Sequence, residues 1–136
     1  MRHLLDVNAL VAFGHTEHLF HARVVRWAAT VAGNDIPKFA TSSITELGFV
    51  RVMSQVYGVS IGEAKVLLVA LKDFEGLDFQ FVADDHDASK LPDWVLGANL
   101  TTDGHLAEFA KAHGLILATL DKNIPGAYVI PYKERL

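Results

Sequence analysis

With 136 residues, 51% of them hydrophobic and 21% charged, the chain has the size and composition of one globular domain (residues 1–136) with a buried core. A net charge of −4 excludes a basic nucleic-acid-coating protein, although not an RNA substrate, because cations reverse the charge of a carboxylate site locally. The lack of cysteine excludes disulfides, thiolate zinc sites and cysteine nucleophiles.

The first apolar run, His3 to Leu5, reads as a buried strand that stops at Asp6. That acidic residue comes too early for a signal-peptide core, and no stretch approaches the roughly 18 apolar residues of a membrane span. A cytoplasmic protein with no membrane segment is expected. Asn8 is placed to cap a short helix through Phe13, broken by Gly14. Thr16 is placed to cap a second helix with Leu19, Ala22, Val25, Trp27, Ala28 and Val31 on its apolar stripe, stopped by Gly33-Asn34-Asp35. Lys38 to Thr41 is a short strand.

Two helices follow, each opening with a capping-box pattern, Ser43-Ile44-Thr45-Glu46 and Ser60-Ile61-Gly62-Glu63. The first runs to about Tyr57, with Leu47, Val50, Val52, Met53 and Val56 apolar. The second carries Ala64, Leu67, Leu68 and Leu71. Phe79 to Val82 alternates as a strand does, and a helix covers part of Ala88 to Leu96, limited by Pro92. Thr101 or Thr102 caps a helix through about His113, and Gly114 suits its left-handed end. Leu115 to Thr119 is a buried strand, and Ala127 to Ile130 adds an edge strand. Alternating strands and helices imply an α/β fold with a mostly parallel sheet covered on both faces.

Four carboxylates, Asp6, Glu46, Asp103 and Asp121, fall at strand ends or helix starts. In an open α/β sheet these positions gather along one rim. Taken singly, each has a plainer role: Asp6 and Asp121 as turn residues, Glu46 as a capping-box partner, Asp103 as a helix-start charge. Taken together they form a cluster whose repulsion a cation offsets, and oxygen ligands suit Mg²⁺ or Mn²⁺. That combination points to a metal-dependent hydrolase cutting a phosphodiester.

Glu63 has the same local pattern as Glu46 but follows a helix, and reads as a cap alone. Asp84, Asp85 and Asp87 read as a solvated run, His105 as a solvent-facing helix residue, and His18 with His21 as a weak zinc pair lacking a third ligand. Arg51, Lys65, Lys72 and Lys122 are candidates to grip a substrate. Trp27, Phe49 and Trp94 are candidates to stack bases, with core packing the main use for most of them. No G-x-S-x-G elbow, P-loop or dinucleotide fingerprint is present.

Leu4-Leu5-Asp6-Val7-Asn8, Ser43-Ile44-Thr45-Glu46-Leu47, Thr102-Asp103-Gly104-His105-Leu106 and Leu117-Ala118-Thr119-Leu120-Asp121 resemble, in order, the signature segments of a PIN domain. Over essentially its whole length the chain is similar to short bacterial VapC-type ribonuclease toxins. The resemblance implies a three-layer sandwich with helices on both faces of a central, mostly parallel sheet. It also implies a Mg²⁺- or Mn²⁺-dependent endoribonuclease with Asp6, Glu46, Asp103 and Asp121 as the acidic quartet, supported by Asn8 and Thr119. The fourth acidic position is the most variable in such domains, so Asp121 matches least firmly. A small antitoxin protein and a homodimer are the implied partners, and RNA the implied substrate. The alternatives are a non-toxin RNA-processing PIN nuclease and a catalytically silent RNA- or protein-binding module.

Overall fold

Side-chain alternation in three short central strands sorts this molecule into layers. The computed structural model describes residues 1–132. In chain order the elements are β1 (His3–Leu5), α1 (Val7–Gly14), α2 (His21–Thr30), β2 (Lys38–Thr41), α3 (Ser43–Gln55), α4 (Ile61–Lys72), β3 (Asp78–Phe81), α5 (Thr101–Ala112), β4 (Ile116–Thr119) and β5 (Tyr128–Val129), with two 3₁₀ turns, Ala88–Lys90 and Ala98–Leu100, between β3 and α5. The strands form one sheet in the order β3-β2-β1-β4-β5, and every neighbouring pair is parallel.

Successive residues of a strand face opposite sides of the sheet. Leu5, Phe39 and Ala118 face a core shared with α1 to α4, which includes Leu10, Phe13, Val24, Trp27, Phe49, Met53 and Leu68. Leu4, Ala40 and Leu117 face the other way, onto Leu106, Phe109 and Ala110 of α5. The expected three-layer sandwich is thus present, with four helices on one face and α5 on the other. Full burial of a large apolar side chain such as Phe39 or Phe49 contributes about 1.5–3 kcal/mol. Among the described residues no helix is long and apolar enough to cross a membrane.

Several local expectations shift. Asn8 does not cap α1: Asp6 is the N-cap, and its carboxylate accepts the Ala9 N–H. Gly14 lies within that helix as its last residue. Thr16 does not cap α2, which starts five residues later after Phe20 and has no side-chain cap. Its buried stripe is Val24, Trp27 and Ala28, whereas Leu19 and Val25 are exposed. On α3 the core positions are Phe49 and Met53, with Leu47 and Val56 in solvent. The stretch from Ala88 to Leu96 yields only a 3₁₀ turn, because Pro92 cannot donate within a helix. Thr101 opens α5 as its first residue rather than its cap, and its hydroxyl donates to the Ala98 carbonyl.

The capping box moves by one residue, with consequences for the rim. Ser42, not Ser43, is the N-cap of α3, and Thr45, not Glu46, is its reciprocal partner. Glu46 is therefore released from capping and is available for other contacts. At α4 the cap is Ser60, whose hydroxyl accepts the Glu63 backbone N–H, and the expected reciprocal Glu63 side-chain bond is not formed.

Helices α1 and α3 meet at Gly48, where an added Cβ would overlap both methyl groups of Val7. Val7 is short and β-branched and has little room to turn aside. Gly48→Ala is expected to destabilise the fold by about 1–3 kcal/mol, read as a lowered urea midpoint at unchanged slope.

Candidate active site at the carboxyl rim of the sheet

The sheet order reverses at β1, which is flanked by β2 on one side and β4 on the other. Ligands of open α/β sheets bind beyond the strand carboxyl ends at such a reversal. Asp6 follows β1, Glu46 lies in the first turn after β2, and Asp121 follows β4. Helix α5 runs back toward the start of β4, so its N-terminal turn, with Asp103, lies on the same rim.

Asp6 is the one buried member of the four. Its side chain is buried, with Oδ1 accepting the Ala9 N–H at 2.8 Å and Oδ2 accepting the Thr119 hydroxyl at 2.5 Å. The same Thr119 oxygen accepts the Asp121 backbone N–H at 3.0 Å. Thr119 thus couples the end of β1 to the turn after β4. Asn8, by contrast, is exposed on the first turn of α1, while the Asp6 carboxylate takes its hydrogen bonds from Ala9 and Thr119.

Burial first, and then the Asp103 and Asp121 charges, push the Asp6 carboxyl up to about 6 against the opposing pull of its two hydrogen bonds. Asp103 is also raised, first by burial and then by Asp121. Three of the four carboxylates therefore lie within Coulombic reach of one another. Their ligand atoms are not drawn within 4.8 Å as a group of three.

Glu46 stands apart. Its Oε2 accepts the Thr41 hydroxyl at 2.5 Å and pairs with Lys72 Nζ at 2.7 Å. The fully buried Thr41 was not foreseen from sequence, although a threonine closing a strand beside the rim was a usable signal. Lys72, expected as a free substrate grip, is instead committed to Glu46 and lies 5.7 Å from the Phe81 ring centre. Arg51, Lys65 and Lys122 are exposed. Trp27 and Phe49 are core residues, and Trp94 packs partly against the α5 core.

The histidines also differ from expectation. His18 Nδ1 accepts the Phe20 N–H, and His21 Nδ1 donates to the Ala12 carbonyl, so both rings serve the backbone. His105 does not face solvent: its Nε2 lies 2.5 Å from Asp84 Oδ2, and its ring stacks at 6.3 Å on Phe109. Asp84 is accordingly partly buried rather than part of a solvated run.

The PIN domain family model matches residues 3–129. Ribonuclease VapC38 of Mycobacterium tuberculosis (strain ATCC 25618 / H37Rv) is 37% identical over 128 residues, spanning 89% of this chain and 86% of that protein. Ribonuclease VapC39 of the same strain is 35% identical over 133 residues, spanning 89% of each. Ribonuclease VapC44 is 32% identical over 137 residues, spanning 93% of this chain and 94% of its own. Among solved structures, VapBC2 from Rickettsia felis bound to a DNA fragment from their promoter aligns with a TM-score of 0.65 at 16% identity. It covers 95% of this chain and 97% of that one, a likeness of fold.

A raised carboxyl binds its proton more tightly when folded than when unfolded. Asp6 therefore adds stability below its unfolded value of 3.8, and this is lost as pH rises through about 6; Asp103 acts in the same direction. In EDTA, unfolding free energy is expected to fall between those pH values. Asp6→Asn keeps the acceptor for Ala9 and removes the buried charge. At pH 8 in EDTA it is expected to stabilise the fold by up to about 3 kcal/mol, measured by urea titration. A destabilised Asp6→Asn would show that the carboxylate charge is not strained.

Proposed function

This chain belongs to the PIN domain family, and from that membership we propose that it is a metal-dependent endoribonuclease acting as the toxin of a VapBC-type toxin–antitoxin pair in the cytoplasm. The observation that carries the reading is the Asp6 carboxylate, buried at a sheet reversal and crowded by two further acidic charges. Relatives at 32–37% identity that bear the name ribonuclease support the activity.

The donor set fits a hard divalent cation. Asp6, Asp103, Asp121 and Glu46 offer only carboxylate oxygens, the ligand type of Mg²⁺ and Mn²⁺. Asp6 and Asp103 serve as the central ligands, and Glu46 and Asp121 complete the shell or orient water. When bound, the ion supplies Lewis acidity, lowering the pKa of water and offsetting charge on the phosphoryl oxygens.

The protein's own part is positioning. Ala9 and Thr119 fix both oxygens of Asp6, so its remaining lone pairs keep one direction. Thr119 holds the Asp121 backbone in register with Asp6. Thr41 and Lys72 hold Glu46, and the Lys72 ammonium reduces the net negative charge that an incoming phosphodiester meets. The exposed Arg51, Lys65 and Lys122 remain as cations for the RNA backbone.

The partners belong to the same proposal. An apolar groove of about 610 Å³, lined by Phe13, Val25, Ala28, Leu67, Leu71 and Phe74, offers an antitoxin segment a place to bury apolar side chains. The solved relative in which a VapBC pair is seen together supports a protein partner. Self-association as a homodimer completes the reading.

The test is cleavage of total RNA by the purified protein with Mg²⁺ or Mn²⁺ and with EDTA, beside growth after induced expression. Wild type is expected to cleave RNA and arrest growth. Asp6→Asn and Asp103→Asn are expected to lose more than about 100-fold in cleavage at matched soluble levels. Mg²⁺ or Mn²⁺ is expected to raise Tm in wild type and not in these variants. Cleavage that survives EDTA or both substitutions would overturn the site. Cleavage without growth arrest would instead place the chain among RNA-processing nucleases.

A further inference from the structure

A second convergence of ligand atoms lies away from the rim. Residues 82–87, between β3 and the first 3₁₀ turn, form neither helix nor strand, and side chains fasten them to α5. Asp84 meets His105, as described above. The next residue, Asp85, directs Oδ1 at both His86 Nδ1, at 2.9 Å, and His113 Nε2, at 2.7 Å. Among the described residues, Asp85, His86 and His113 are the one group of three or more acidic or histidine side chains with ligand atoms all within 4.8 Å of one another.

The two rings are held in place from behind. His113 packs on Phe109 with ring centres 4.5 Å apart, and His86 meets the same ring edge-on at 6.0 Å. The His86 and His113 side chains are 14% and 27% exposed, whereas Asp85 is 66% exposed. Two fixed imidazole nitrogens thus converge on a carboxylate that opens to water. Both rings also hold the Asp85 carboxyl down to about 2, so it is an anion throughout the physiological range.

We propose that Asp85, His86 and His113 form a binding site for a divalent transition metal, Zn²⁺ foremost, separate from the acidic rim. Two imidazole nitrogens and one carboxylate oxygen are a donor set for Zn²⁺, with water as the fourth ligand, whereas Mg²⁺ prefers oxygen alone. At zinc bond lengths of about 2.0–2.1 Å, tetrahedral ligand atoms stand roughly 3.3 Å apart, so the present contacts need to open by roughly half an ångström. The ion would replace the ring protons that now bridge to Asp85. It would cross-link the 82–87 segment to the C-terminal end of α5, roughly 15 Å of helix from Asp103. This site stands or falls independently of the nuclease reading.

The test is titration of the full chain, free of any histidine tag, with ZnCl₂ by calorimetry, with Co²⁺ absorption reporting nitrogen coordination. With excess Mg²⁺ present to occupy the acidic rim, one Zn²⁺ per chain is expected. His86→Gln or His113→Gln should weaken it by at least about tenfold. Asp6→Asn and His18→Gln should leave it unchanged. Zn²⁺ should raise Tm in wild type and not in His113→Gln. Because Phe109 is core, circular dichroism checks each variant, and the exposed Asp85→Asn supplies a substitution that leaves the ring packing intact. No saturable binding, binding lost with Asp6→Asn or His18→Gln, or binding that survives Asp85→Asn and both histidine changes would overturn the proposal.

Discussion

A carboxylate placed out of water where a strand turns into a helix is the constraint on which the rest of this molecule is arranged. Asp6 sits between the hydrophobic end of β1 and the open N–H groups of α1, and among the described residues its desolvation is compensated by two hydrogen bonds and by no cationic side chain. Each bond has a structural consequence. The one from Ala9 sets the direction in which α1 leaves the sheet. The one from Thr119 ties β1 to the end of β4, and through the Asp121 N–H it shapes the turn that follows. A single side chain thereby fixes a helix, a strand pair and the position of a second carboxylate.

The rim treats its acids unequally. Glu46 has a lysine at ion-pair distance and a buried hydroxyl donor. Asp6 and Asp103 are pushed toward protonation by burial and by their neighbours. Such asymmetry is characteristic of sites that trade folding stability for a task, since a buried charge without a counter-charge weakens the fold unless something else uses it. Among the described residues no buried side-chain nitrogen or oxygen is left without a partner, so the strain at Asp6 is electrostatic rather than a failure of hydrogen bonding.

The layered fold and the nearness of Asp6, Asp103 and Asp121 to one another were legible because they depend on periodicity and on strand ends, which a sequence writes directly. β4 and the α4 stripe came through for that reason. What failed was local competition between near-equal choices. Thr41, Ser42 and Ser43 are three consecutive hydroxyl residues, and only the length of β2 decides which of them caps α3. The one-residue error gave Glu46 a capping role that Thr45 performs. Likewise Thr16 looked like a cap, but His18 and backbone turns take up the chain before α2 begins. The pairs Asp84–His105 and Asp85–His113 join residues separated by 21 and 28 positions, and no local pattern announces contacts of that kind.

The centre of the sheet joins the beginning of the chain to a segment near its end. His3 pairs with Ile116, and Asp6 finds its Thr119 partner 113 positions away. Synthesis proceeds from the N-terminus at about 5–20 residues per second, so Asp6 waits on the order of 10 s before the residue that completes its surroundings exists. A nascent or truncated product ending before β4 has the first carboxylate but neither its hydroxyl partner nor the turn bearing Asp121. The rim thus assembles only after the chain has been made through β4 and the turn that follows it.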